Sequence, residues 1–141
     1  MKKLLNLFPW LIIIGLWIII IVTAYWLLYP YKPIVFNNLP MTVDNKVVKT
    51  GDFLTYNADY CKYSTLIPEA SKTFVDQIIY NIPSEVVVAK PTGCKVIKLQ
   101  TLVPMNLPAG TYTLKITYRY QVNPIRPIDI SVETESFQVV K

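Results

Sequence analysis

The chain has 141 residues, 52% of them hydrophobic, with 14 Lys and Arg against 9 Asp and Glu, two cysteines and no histidine. Without histidine and without a CxxC pair, neither a zinc site nor a Cys–His nucleophile is expected, and no cofactor. The small cationic excess contains no run of Lys and Arg interleaved with aromatics, so nucleic acid is not an expected partner.

In chain order, the first element is the stretch WLIIIGLWIIIIVTAYWLLY, residues 10–29, which carries no formal charge. Twenty residues of helix at about 1.5 Å each reach roughly 30 Å, the thickness of a bilayer's hydrocarbon core. A cleavable signal peptide has a shorter apolar core and small residues at its exit, whereas this segment leaves through Tyr25, Trp26, Leu27, Leu28 and Tyr29. The expectation is an uncleaved transmembrane anchor. Lys2 and Lys3 precede it and only Lys32 follows closely, which keeps residues 1–9 in the cytoplasm and places the rest outside a bacterial inner membrane, a single-pass topology. Trp10 at one end and Tyr25, Trp26 and Tyr29 at the other suit the headgroup level. No ionisable residue interrupts the span and it holds no GxxxG pair, so neither an ion pathway nor that mode of helix pairing is indicated. Residues 30–33 form a stiff connector with prolines at 30 and 33, so the following domain stands close to the membrane.

Residues 34–141 break into short runs of alternating apolar and polar residues separated by Pro, Gly and Asn clusters, the pattern of one antiparallel sandwich. The expected strands are A at 34–37 continuing at 42–48, B at 52–62, C at 74–81, D at 85–89, E at 95–103, F at 111–122 and G at 128–140. Strand F is the clearest. Tyr112, Leu114, Ile116, Tyr118, Tyr120 and Val122 share its buried parity, and Thr111, Thr113, Lys115, Thr117, Arg119 and Gln121 the wet one. In B, Leu54, Tyr56, Ala58 and Tyr60 point in; in E, Ile97, Leu99 and Thr101 do so. Parity changes within G, which a bulge at residues 134–136 would reconcile.

Seven strands in this length is an immunoglobulin-like count. LPAGTYTL, residues 107–114, resembles the turn into strand F of immunoglobulin-like domains, with Tyr112 where a tyrosine corner stands, two residues before the family's second cysteine position. That position is Leu114 here, and the strand C tryptophan is also missing. The resemblance is to the broad immunoglobulin-like sandwich group and not to antibody domains. The anchor together with DYCKY, GCKV, LPAGTYTL, YQVNPIR and TESFQV is also similar to small membrane-anchored proteins encoded by bacteriophages of aquatic bacteria. This second resemblance implies no activity.

Cys61 ends strand B and Cys94 opens strand E. In an immunoglobulin-like sheet these strands are antiparallel neighbours and both cysteines fall on the outward parity, so a disulfide across the outer face is expected. An export compartment permits it. The alternative is two unpaired surface thiols.

The same topology turns the BC, DE and FG loops toward the bilayer. Lys32, Lys62, Lys72, Lys90, Lys95, Arg119 and Arg126 gather at that end against Glu69 and Asp129, which suits anionic lipid or an acidic partner; an ordinary solvated set of cations explains the pattern equally. The loop VNPIRPI, residues 122–128, is stiffened by Pro124 and Pro127, and Asn123, Pro124 and Arg126 are its candidate interaction residues. Asp59, Asp76, Glu85 and Asp129 are too scattered to form a catalytic carboxylate pair, and no glycine-rich phosphate loop exists among four glycines. The expected function is a non-enzymatic membrane-anchored interaction or structural module of phage or bacterial origin with a protein partner in the envelope. The alternative is a phage virion or lysis component that engages the host envelope.

Overall fold

The computed structural model describes residues 2–76, 79–86 and 91–141, with side chains for residues 9–76, 79–83 and 91–141. It opens with helix α1, Lys2–Leu28. Its part from Pro9 to Leu28 is the one helix among the described residues long and apolar enough to cross a membrane, with a mean hydropathy of 2.7 and no burial against the rest of the chain. The helix stops where Pro30 biases Tyr29 away from helical dihedrals.

The remainder is β-structure: β1 Ile34–Phe36, β2 Thr42–Val43, β3 Val47–Lys49, β4 Phe53–Lys62, β5 Glu69–Val75, β6 Ile79–Val86, β7 Gly93–Leu102, β8 Gly110–Asn123, β9 Arg126–Glu133 and β10 Phe137–Val140. In the first sheet β4 is central, with β1 and β2 along one edge and β7 along the other, all antiparallel. The second sheet runs β3-β10-β8-β5-β6, and β9 also lies against β8. Among the described strands the β3–β10 pairing is parallel and the others are antiparallel. Both sheets contribute to one core: Leu54, Tyr56, Ala58 and Tyr60 of β4 meet Phe74 of β5, Tyr112, Leu114, Ile116 and Tyr120 of β8, and Phe137 and Val139 of β10.

The parities expected for β4, β7 and β8 are the observed ones, including buried Thr101, which shares a hydrogen bond with the Tyr56 hydroxyl at 3.4 Å. Tyr112 donates its hydroxyl to the Pro108 carbonyl at 3.0 Å, the contact that a tyrosine corner requires. At Lys49–Asp52 the chain reverses through a turn closed by Asp52 N–H to Lys49 O, 3.1 Å. Gly51 takes φ 87° in it, a value that favours glycine.

Four strand boundaries differ from expectation. Strand C at 74–81 straddles the end of β5 and the start of β6; β5 instead begins at Glu69, because its position is set by pairing with β8 from Arg119 to Thr113. Its half-exposed Ser71, Lys72 and Thr73 dilute the alternation. Strand D at 85–89 coincides with the tail of β6 as far as Val86, and its residues 87–89 lie outside the described residues. Strand A is three pieces, of which β1 and β2 stay on β4 while β3 crosses to β10. Strand G divides at the parity change into β9 and β10, with Thr134 at the break in a parallel bridge to Met41.

Aromatic side chains fill the helix-proximal part of the core. Phe36 of β1 stacks on Tyr118 of β8 across the two sheets, centroids 5.7 Å apart, and packs on Tyr60 of its own sheet at 5.9 Å. Burial, helped by Tyr60, pushes the Tyr120 hydroxyl up to about 12, and burial with Tyr56, Tyr120 and Tyr60 around it pushes Tyr118 still further. Because the folded pKa exceeds the unfolded value of 10.0, the stability tied to these neutral tyrosines is complete below pH 10 and is lost as pH rises toward and through 12. An alkaline titration followed by tyrosinate absorbance is expected to show a cooperative step in that window. Replacing Tyr120 by Phe should move the step to higher pH; a gradual curve identical in both proteins would contradict this account.

Candidate functional site: the two ends of the sandwich

The strands place two surfaces at opposite ends. β4 begins at Phe53 and ends at Lys62, where it pairs with Ile34 just after the connector. Ten residues of strand span roughly 30 Å, so Phe53 and Lys62 mark the ends remote from and nearest to α1.

At the near end, β8 and β9 extend as a hairpin whose tip reaches the last turn of α1. A helix leaves its final carbonyls without partners inside the helix. Here Tyr25 O accepts from Tyr29 N at 3.0 Å, Trp26 O from Asn123 Nδ2 at 3.0 Å and Leu27 O from Arg126 Nη1 at 2.5 Å. Arg126 Nη1 also lies 3.1 Å from Tyr29 O. A guanidinium at a helix C-terminus is favoured by the helix dipole as well as by these bonds. Local hydrogen bonds hold the tip in shape, since Asn123 Oδ1 accepts the Ile125 amide at 3.1 Å and the Gln121 side chain donates to Asn123 O at 2.6 Å. Asn123 and Arg126 therefore hold the chain's own helix, while Pro124 and Ile125 between them remain exposed.

The seven cations expected at this end differ in their surroundings. Lys62 is 5% exposed and engaged within the domain. The alternating pattern ends before it, since Tyr60, Cys61 and Lys62 are consecutively buried where β1 pairs with the end of β4. Arg119 lies 3.8 Å from Asp129 across the β8–β9 pair. Lys72 is half-buried and has interactions of its own, and Lys90 lies outside the described residues. Lys32 and Lys95 are exposed.

Cys61 and Cys94 are register partners joined by a disulfide, 33 residues apart in sequence. As cross-strand partners joined through their sulfurs both lie on the outer face, as expected, but only Cys94 is open to solvent. Cys61 is 9% exposed, covered in part by Asn37, whose Nδ2 lies 3.8 Å from its Sγ.

At the remote end, Phe53 and Leu102 are paired across β4 and β7 on the outer face, 58% and 51% exposed. Met105, 86% exposed, continues this surface in the loop after β7, beside the backbone of Gly51. A cleft of ≈ 470 Å³ adjoins it, lined by Asn45, Val47, Val48, Lys49, Asp52, Phe53 and Val140. Period-two reading marks Phe53 and Leu102 as outward; nothing in it shows that they are neighbours, since that depends on the β4–β7 register. Among the described residues no three His, Cys, Asp or Glu side chains gather as a metal-ligand set.

No protein-family model matches the chain. No curated protein matches its sequence. Among solved structures, the Pseudomonas fluorescens alkylpurine DNA glycosylase AlkC, bound to DNA containing an abasic site analogue, is similar at a TM-score of 0.39 and 7% identity, over 77% of this chain and 31% of that one. The chain spans about a third of that enzyme's length, and a likeness at this level says nothing about activity.

Proposed function

We propose that this chain is a non-enzymatic, membrane-anchored binding module. Residues 10–29 cross a bacterial inner membrane with residues 1–9 in the cytoplasm, and an immunoglobulin-like sandwich stands on the outer side. Its remote end offers Phe53, Leu102 and Met105 to a protein partner in the envelope. The observation that carries this reading is the placement of a clasp onto the helix at one end and an exposed apolar surface at the other. A domain so held presents its remote end away from the bilayer, where a partner rather than lipid meets it, and exposed apolar groups grouped together mark such meeting points.

Support for the immunoglobulin-like assignment comes from strand order. β1 and β2, β4 and β7 stand as strands A, B and E of one sheet, and β3, β10, β8 and β5 as A′, G, F and C of the other, with the parallel A′–G pairing and the Tyr112–Pro108 hydrogen bond. The disulfide joins B to E within one sheet instead of B to F between sheets.

A photo-cross-linking side chain at position 105 in native membranes is expected to capture one discrete protein, with Phe53→Ser abolishing the adduct. The same group in place of Val96, exposed on β7 toward the helix end, should not capture it. Equal capture from both positions, or capture that survives Phe53→Ser, would reject the remote end as the binding surface.

A further inference from the structure

We infer that the β8–β9 hairpin tip is itself a lipid-binding site, in which Ile125 inserts into the interface of the membrane crossed by α1 while Asn123 and Arg126 hold it there. The inference rests on the anchor reading above and adds a second, independent point of contact with the bilayer. The level of the tip follows from its bonds. Trp26 O and Leu27 O lie in the last turn of a helix whose apolar stretch from Pro9 to Leu28 matches the hydrocarbon core in length. Tyr25, Trp26 and Tyr29 form the aromatic belt of that end and are exposed, as residues bathed by lipid headgroups are. A side chain hydrogen-bonded to those carbonyls sits within about one helical turn of the headgroup region.

Ile125 is 50% exposed at this level, flanked by Pro124 and with no carboxylate between Asn123 and Arg126. An aliphatic side chain at a hairpin tip gains from leaving water when an apolar medium is adjacent. Tyr63, 66% exposed, borders the same end: its amide donates to Pro33 O at 2.9 Å, which ties the β4–β5 loop to the connector. The clasp turns the Arg126 guanidinium toward carbonyl oxygens of the helix end, and Arg119 lies 3.8 Å from Asp129. The contact made by Ile125 is itself apolar and does not depend on anionic headgroups, unlike the electrostatic contact that the seven cations imply. Two attachments, the covalent helix and the inserted tip, fix the tilt of the sandwich and the direction in which its remote end faces.

The test uses the full chain in vesicles of phosphatidylcholine alone and with one third phosphatidylglycerol. The native cysteines are joined to each other, so Ile125→Cys, Met105→Cys and Trp17→Cys each supply one free thiol for a nitroxide label. Collision with oxygen relative to a water-soluble nickel chelate reads depth. The label at 125 is expected to favour oxygen, at a depth between the fully aqueous 105 label and the deeply buried 17 label, and equally in both lipid mixtures. Adding Asn123→Ala and Arg126→Ala should shift the 125 label to the aqueous profile of position 105 and leave position 17 unchanged. A 125 label as aqueous as the 105 label, with 17 still buried, overturns the inference but leaves the anchor reading intact; an aqueous 17 label overturns both. A 125 label that gains depth only with phosphatidylglycerol overturns the apolar account. Mass spectrometry of the labelled proteins digested without reduction should find Cys61 linked to Cys94 and the label on the introduced cysteine, which verifies that the native pairing is preserved.

Discussion

Reducing the Cys61–Cys94 disulfide is expected to lower the unfolding free energy by roughly 3 to 4 kcal/mol, the loop-entropy value for a closed loop of this size. For a small domain whose total is about 5 to 15 kcal/mol this is a large share, and it corresponds to a fall in the thermal midpoint on the order of 20 °C. The domain should nevertheless remain folded at room temperature, because the bond spans two residues that the β4–β7 ladder already holds opposite each other from Phe53–Leu102 to Lys62–Gly93. The stabilisation comes from restricting the unfolded chain, not from creating the pairing. Cys94 is exposed while Cys61 is shielded, so a small thiol reagent should attack at Cys94 without prior unfolding. Thermal melts by circular dichroism, with and without reductant and for the Cys61→Ala, Cys94→Ala double variant, measure the effect. Coincident melts would show that the ladder alone suffices. Loss of structure at room temperature would show that the ladder depends on the bond.

This disulfide was legible because two readings agreed: the alternation within β4 and β7 placed both cysteines on one parity, and the resemblance to immunoglobulin-like sheets implied that the two elements are neighbours. Tyr112 was legible for a similar reason, since its partner Pro108 lies only four residues away and the turn between them is local. The hairpin clasp was not. Its bonds link Asn123 to Trp26 and Arg126 to Leu27, 97 and 99 residues apart, and the acceptors are backbone carbonyls that carry no residue-specific mark. From composition, Arg126 reads as a free cation in a stiff loop; only the meeting of helix end and hairpin shows it to be a cap. Lys62 escaped for a different physical reason, because it is buried at the end of β4, where β1 pairs with it, and the pleat of its own strand does not show this. The same limit explains β5, whose start is dictated by pairing with β8 through residues too polar to betray it.

Phe74→Ala is expected to cost roughly 3 to 5 kcal/mol, the range for emptying a buried aromatic site. Phe74 has no exposure and meets Tyr112 and Phe137 edge-on, with centroids at 6.4 and 6.1 Å. It thus joins β5 to both β8 and β10, and its loss leaves a void beside two large rings. Chemical denaturation of the domain should register a lower midpoint with little change in slope, and a value under about 1 kcal/mol would mean that the core relaxes into the space. Phe53→Ser makes the instructive comparison. Phe53 is of the same residue type and lies 58% exposed on the outer face of β4, where a substitution is expected to move stability by no more than about 0.5 kcal/mol. If Phe53→Ser abolishes capture at position 105 while leaving the denaturation midpoint in place, the side chain serves an encounter with another molecule. If it destabilises the domain as Phe74→Ala does, Phe53 belongs to the core, and the remote surface loses its claim to be a binding site.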